Sequence, residues 1–420
     1  MTPSTAADSP YAHLVDPDYY ERNGYPHESW QALRSQNSIH YVERERGDSF
    51  WAVTKHADIT TISCQPEIFS NKIPVVREQD QLDTPANLPA VLIQLDPPIH
   101  AKYRHLLSKR MTPRKVATFH DEIEAIAISI LNDLEAHESS GCDFVATVAA
   151  PLPIAVIAFL LGVPREDWRK LYVWTNESTG ASDPEFRKPG ETAAQTMERA
   201  NIELFTYFAG LRAERLARPQ DDLISLLANA TVDGEPLPLI DILAFYQILV
   251  AAGNETTRNA TSGGLLALIE HPEEMAKIQA DPRLIKPAVE EILRWTSPII
   301  HFARTATRDT EIAGHKIRAG EIVGMFYPSA NRDEAIWHDP ERFRVDRKHN
   351  PHIAFGVGEH YCLGAHVARL ELQVIFRHLI PRLGRVELAG PIDRLRSNLI
   401  GGVKRLPIRY ALRPPGVNAV

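Results

Sequence analysis

The sequence predicts a mostly α protein with small β-sheets, organised around one long central helix with a β-rich corner. Three observations carry this. Residues 237–271, "LPLIDILAFYQILVAAGNETTRNATSGGLLALIEH", keep helical periodicity throughout. Their centre is too polar for a membrane span, so the helix should cross the molecule with other helices around it. The segments 121–137, 192–217 and 362–380 repeat apolar residues at three- and four-residue spacing, the mark of further helices. By contrast, residues 39–53 alternate around an "RGD" turn, and 311–333 is broken by glycines; both read as short strands.

The elements follow in order. The first 25 or so residues are proline-rich and polar and are expected to lie irregularly over the surface. The hairpin at 39–53 comes next, then the helix at 121–137. "VATVAAPLPIAVIAFLLGV" is apolar on most sides and should be buried. "NESTGASDPEFRKPGE" (176–191) is a polar connector with glycine and proline, of the kind that forms a mobile lid. The chain carries no internal repeat and is expected to fold as one unit.

Composition narrows the function. The 420 residues are 44% hydrophobic and 24% charged, a globular balance. A net charge of −8 argues against a nucleic-acid partner. Cys64, Cys142 and Cys362 lie far apart, without a CxxC pair, so neither a disulfide framework nor a zinc site of usual spacing is indicated. The N-terminal stretch lacks the basic and apolar regions of a secretory signal, and "PLPIAVIAFLLGV" is too short to span a bilayer. A cytoplasmic protein without a membrane span is expected.

The chemistry starts at "FGVGEHYCLG", residues 355–364. Gly356 and Gly358 permit tight turns, Gly364 permits close approach, and a helix begins at or just after Cys362. Free N–H groups at that helix start favour thiolate over thiol. Three readings are open: an inert buried cysteine, a nucleophile, or a thiolate bound axially to haem iron. No His/Asn arrangement of a known cysteine-enzyme type accompanies it.

This loop resembles the haem-binding loop of the cytochrome P-450 monooxygenases, matching at Phe355, Gly358, His360, Cys362 and Gly364. Further segments match in order. "AAGNETT" resembles the oxygen-activating part of the family's long helix, at Ala252, Gly253, Glu255 and Thr256. Gly253 would leave room for O2, Thr256 could donate a hydrogen bond to it, and Glu255 could feed in protons. A helical threonine more often bonds its own i−4 carbonyl; an acid and an alcohol beside a glycine in an apolar helix favour the catalytic reading. Glu255 stands where many bacterial members have Asp. The string "GNETTRNA", with Asn254, is similar to members acting on sterol side chains and branched lipids. "EEILRW" supplies the family's ion pair, Glu291 and Arg294, and the resemblance implies that Arg342 of "DPERF" extends it. His100 and Arg104 lie one helical turn apart. The resemblance implies that they, with Arg304 and His360, bind the haem propionates.

The resemblance therefore implies the P-450 fold, with the long helix over the haem, one domain spanning residues 1–420, and Cys362 as the iron ligand of haem b (iron protoporphyrin IX). The implied reaction inserts one atom of O2 into a C–H bond. Electrons would come from a separate ferredoxin, since no flavin or nicotinamide module is present. Lys102, Arg104, Lys109, Arg110, Arg114 and Lys115 form an acid-free stretch where an acidic ferredoxin could dock; a merely solvated helix is the alternative. Candidate substrate contacts are Ile248, Ala252, Ile299, Ile300 and Val91 of the loop 87–93. Their apolar character points to a terpenoid, steroid or fatty substrate. A peroxide-driven haem enzyme and a haem-thiolate redox or gas sensor are the alternatives, though neither needs the Glu255–Thr256 pair.

Overall fold

The computed structural model describes residues 9–36, 39–79, 82, 90–138 and 140–413. About 54% of the described residues are helical, with small sheets. The helices that build the site are α1 (Ile99–Ser108), α2 (His120–Ala136), α3 (Pro151–Leu161), α4 (Trp168–Thr179), α5 (Ala193–Ala217), α6 (Leu239–Glu270), α7 (Ile285–Thr296) and α8 (Ala365–Arg382). α6 runs for 32 residues and packs against α3, α5, α7 and α8. Such a helix is apolar on most faces because neighbours cover most faces. α3, whose side chains Leu152 through Ala158 are all buried, is the most enclosed of them. Among the described residues no helix is long and apolar enough to cross a membrane.

The β-rich corner is a five-stranded sheet. Its strands are β1 (Ile39–Val42), β2 (Phe50–Val53), β3 (Phe69–Ser70), β4 (His301–Ala306) and β5 (Ile322–Phe326), in the order β1-β2-β5-β4-β3. β2 and β5 are parallel, with Val323 opposite Trp51; the other pairs are antiparallel. The hairpin at 39–53 is thus present, with the "RGD" residues in its turn. Alternation along β4 buries His301 and Ala303 on one side and turns Phe302 and Arg304 to the other, as a two-residue period requires.

Two expectations, an irregular N-terminal segment and a mobile lid, need correction. Residues 9–25 are not irregular. Asp16 caps a helix over Pro17–Asn23, and Leu14, Val15 and Tyr20 are buried in a cluster with Trp30, the Tyr20 hydroxyl donating to the Leu14 carbonyl at 2.7 Å. Nor is 176–191 a loose lid. α4 continues through Thr179, burying Asn176, Glu177 and Ser178. Beyond it, Asp183 pairs with Lys404 at 2.7 Å while only 3% of its side chain is exposed. Polar composition does not mean solvent exposure here, because these side chains are buried and bond to other polar groups.

Candidate functional site

The loop around Cys362 is shaped by two glycines. Gly356 and Gly358 have φ of +71° and +75°, and a Cβ on Gly358 would overlap the Ser63 carbonyl oxygen. Gly358–His360 forms a single 3-10 turn, and the Cys362 N–H donates to the Phe355 carbonyl at 2.8 Å. α8 starts at Ala365 with Gly364 as its cap residue. Burial pushes the Cys362 thiol up, while the Gly364 N–H, Arg104 and Arg369 pull it down; burial wins. Helix-start donors alone therefore do not hold this sulfur as a thiolate.

Cys362 faces a cavity of about 250 Å³, far more than a few waters occupy. α6 lines it with Ile248, Ala252, Gly253 and Thr256, and β4 with Phe302 and Arg304. His100 and Arg104 reach it from α1, and His360 from the cysteine loop. The His100 and His360 rings stack at 4.0 Å, 24° apart. The Nε2 atoms of both are buried without a hydrogen-bond partner among the described residues. Arg104 donates to the Tyr361 carbonyl at 2.6 Å and Arg304 to the Ala303 carbonyl at 2.7 Å. Among the described residues none of the four forms an ion pair with a carboxylate. The nearby Asp96 is taken up by the Ser70 hydroxyl at 2.6 Å and the Asn71 N–H at 2.7 Å.

That imbalance appears in the titration of these groups. Burial, then His100, Arg304 and Arg104, push His360 down to about 3. Burial and Arg104 lower His100, and burial lowers Arg304. Buried cationic groups without a counter-charge are costly, so this end of the cavity fits an anionic group. The donor set makes a second demand. Among the described residues no cluster of three or more His, Cys, Asp or Glu side chains could hold a metal ion. An iron on Cys362 would take its remaining ligands from a macrocycle. A Cβ built on Gly364, which lines the cavity, meets no protein atom within 4 Å, leaving a flat face beside the sulfur. The residues present fit a haem with two carboxylate arms.

Comparison with known proteins agrees. The family model described as cytochrome P450 matches residues 191–388. Linalool 8-monooxygenase of Pseudomonas putida is 35% identical over 403 residues, covering 94% of this chain and 98% of its own length. The steroid C26-monooxygenase of Rhodococcus jostii is 36% identical over 409 residues, covering 94% and 84%. The chain belongs to the cytochrome P450 family. It is a monooxygenase, an oxidoreductase of the haem-iron class. Among solved structures, the Mycobacterium marinum cytochrome P450 CYP268A2 in complex with pseudoionone superposes with a TM-score of 0.88 at 34% identity, covering 96% of this chain and 100% of its own. CYP108D1 from Novosphingobium aromaticivorans gives 0.87 at 36%, covering 95% and 97%.

Within this P450, the Glu291–Arg294 pair is fully buried, with two contacts of 2.8 Å. Arg342 does not extend it. Its side chain is exposed and only its carbonyl takes part, accepting from Arg294 at 3.2 Å. Arg347 is the third member, 3.1 Å from Glu291 Oε2 and also bonded to the carbonyls of His338 and Arg342. Glu291 further accepts from the Arg344 N–H and Asn350, so the cluster ties the irregular chain 331–350 to α7.

The cavity face of α6 also differs in detail from expectation. Thr256 donates to the Ala252 carbonyl at 2.9 Å, the ordinary bond of a helical threonine, with its hydroxyl at the cavity wall. The space beside Gly253 is filled by Ile157, 3.2 Å from where a Cβ would stand, so this glycine serves the close approach of α3. Glu255 does not line the cavity; its carboxylate pairs with Arg258 on the next turn. Ile299 lines the cavity, but Ile300 turns the other way into the Trp30 cluster. Adjacent residues in extended chain face opposite sides. Val91 is likewise off the wall, where Leu92 and Ile93 stand instead. Residues 87–89 of that loop lie outside the described residues.

Several cavity residues gave no signal in the sequence. Phe302, on β4, and Tyr327, at the start of a short helix over Tyr327–Ala330, line it. Asn71 is 2% exposed, with a side-chain oxygen that has no partner. Glu371 on α8 is buried without a partner for one oxygen, and burial pushes its carboxyl well above the usual range. A single buried polar residue in an otherwise ordinary stretch looks like a surface residue until the fold closes over it.

Proposed function

We propose that this protein is a monooxygenase that uses haem b, electrons from a separate ferredoxin-type donor, and O2 to hydroxylate a hydrophobic small molecule of the terpenoid or steroid class in the cytoplasm. The observation that carries this reading is one cavity with two unlike ends. One end has the Cys362 sulfur and four basic side chains lacking an acidic partner; the other is walled by Ile248, Ala252, Ile299 and Phe302. Bound haem supplies the activation of O2. The chain's own residues do the rest. Cys362 holds the iron, and His100, Arg104, Arg304 and His360 hold the two propionates. The apolar wall orients the substrate and excludes water. Thr256 would present its hydroxyl to the cavity, and Glu255, one residue earlier on α6, would hold the proton supply. The substrate class is supported by relatives named for linalool and steroids and by a neighbour in complex with testosterone. The cytoplasmic assignment rests on the scattered, unpaired cysteines.

The test is the spectrum of the reduced, CO-bound protein. A strongly red-shifted Soret band is expected, with its loss in Cys362→Ala. Binding spectra with terpenes and steroids should then show saturable shifts. A Soret band at the position of a nitrogen-ligated haem would refute the assignment of Cys362.

A further inference from the structure

Three stretches of chain that line the cavity meet at one side chain outside it. Asn331 is fully buried and stands just past the short helix Tyr327–Ala330. It is not itself a lining residue. Its backbone and both side-chain polar atoms are engaged. The N–H donates to the Tyr327 carbonyl at 2.9 Å, and the Asn331 carbonyl accepts from Arg294 at 2.9 Å. The side-chain oxygen accepts from the Ile353 N–H at 2.8 Å, and the side-chain amide donates to the Ser297 hydroxyl at 2.8 Å. These partners fix which way the amide faces. A backbone N–H can only donate, so the oxygen must face Ile353. The Ser297 hydroxyl directs its own proton to the Arg294 carbonyl at 2.8 Å, so it needs a donor, and the amide supplies one.

Each of these bonds leads to the cavity. Ser297 ends α7 in left-handed backbone, with φ of +36°, a conformation that residues other than glycine hold only where the surroundings enforce it. The chain leaving it supplies Pro298, Ile299, Phe302 and Arg304 to the cavity. Ile353 opens the cysteine loop: its carbonyl accepts from the Gly356 N–H at 2.9 Å, and Ala354 and Phe355 line the cavity with Cys362. Tyr327 lines it as well, its N–H bonded to the Ile300 carbonyl at 3.1 Å.

We propose that Asn331 is a positioning residue that sets the spacing between the substrate wall, residues 298–304, and the cysteine loop. This role rests on the function proposed above, in which Cys362 holds the iron and that wall meets the substrate. The wall runs into β4 of the sheet, whereas the loop runs into α8. Among the described residues no backbone hydrogen bond joins 298–304 directly to 353–364. A buried side-chain amide of fixed orientation makes the connection that the backbone does not. Its two arms differ in polarity, one accepting and one donating, so an apolar side chain of similar size cannot replace it. Placement of this kind matters to rate, since about 1 Å of misplacement by a residue remote from the chemistry costs about a hundredfold.

The test cuts the arms separately in the haem-loaded protein. Ser297→Ala removes the wall arm and leaves Ile353 bonded; Asn331→Leu removes both. The probe is whichever terpene or steroid gives the parent its largest Soret shift. Ser297→Ala should keep the parent's reduced, CO-bound spectrum, while the substrate-induced shift shrinks and product per electron falls about tenfold, less than a full 1 Å displacement would cost. Asn331→Leu should show the same losses. It should also speed amide exchange over residues 351–362, where the Ile353 N–H has lost its acceptor, and move the CO band toward that of a thiol-ligated haem. Asn331→Asp can accept from Ile353 and from a reoriented Ser297 hydroxyl, so it should recover part of what Asn331→Leu loses. Arg347→Ala is the control, because it loosens the neighbouring chain without touching either arm; it should lose stability and keep the full substrate shift. If Ser297→Ala matches the parent in shift and coupling, or if Arg347→Ala shrinks the shift as much as Ser297→Ala does, the positioning role is wrong while the assignment of Cys362 stands. A parent without the red-shifted CO band, or without a shift for any terpene or steroid, would overturn the function proposed above and this role with it.

Discussion

At the scale of single residues, the sequence named the buried acid correctly placed on α7 but chose the wrong third arginine. Arg342, Arg344 and Arg347 lie within "ERFRVDR", a stretch without helical or strand period, so no spacing rule says which guanidinium turns inward. The structure answers with burial: the Arg347 side chain is 7% exposed and bonded to Glu291 and three carbonyls. Removing one partner of a buried ion pair strands the other charge. Arg347→Ala should therefore cost about 3 kcal/mol or more in urea denaturation. Arg342→Ala keeps its carbonyl and should stay within about 0.5 kcal/mol. The opposite ranking would return the role to Arg342. The ligand loop was more legible, because Gly358 and Cys362 are fixed by backbone geometry and ligand chemistry that few other residues can supply.

At the scale of elements, periodicity located α6 well: 237–271 expected, Leu239–Glu270 found. What it could not show was which neighbour each face meets. Gly253 lines the cavity and is at the same time a close contact with Ile157 of α3. Gly264 marks a closer crossing, where a Cβ would stand 2.8 Å from both Ile292 of α7 and Phe376 of α8. Alanine is the better helix former by about 1 kcal/mol, yet overpacking a core costs about 1–3 kcal/mol. Gly264→Ala should therefore lower the melting temperature. Gly210 in α5 is exposed and has no atom within 4 Å of its ideal Cβ; Gly210→Ala should raise it. Two identical substitutions in helices are thus expected to move stability in opposite directions, for reasons of packing alone.

At the scale of the whole molecule, the order of motifs along the chain was enough to predict the fold, since α1, α6, β4 and the cysteine loop bring residues to one cavity and the Glu291–Arg294 pair ties α7 to the chain 331–350. Surface charge was less legible, because sequence cannot say which basic groups are neutralised by distant acids. Of the six basic residues between Pro98 and His120, Arg104 faces the cavity. Lys102 pairs with Asp233 at 2.5 Å, and Arg110 and Lys115 share Asp221. Lys109 and Arg114 form no ion pair among the described residues, and they stand out on a chain of net charge −8. If an acidic electron donor docks here, its on-rate is steered by those two charges and screened within about 10 Å at 0.1 M salt. Lys109→Glu with Arg114→Glu should then raise the apparent KM for a ferredoxin several-fold at low ionic strength, with the difference fading as salt is added. Substrate binding spectra should not change. Lys102→Glu frees Asp233 as well as removing a cation, so its effect mixes two causes and cannot replace this pair. Identical ferredoxin kinetics in the double variant and the parent at every salt concentration would place the donor on another face.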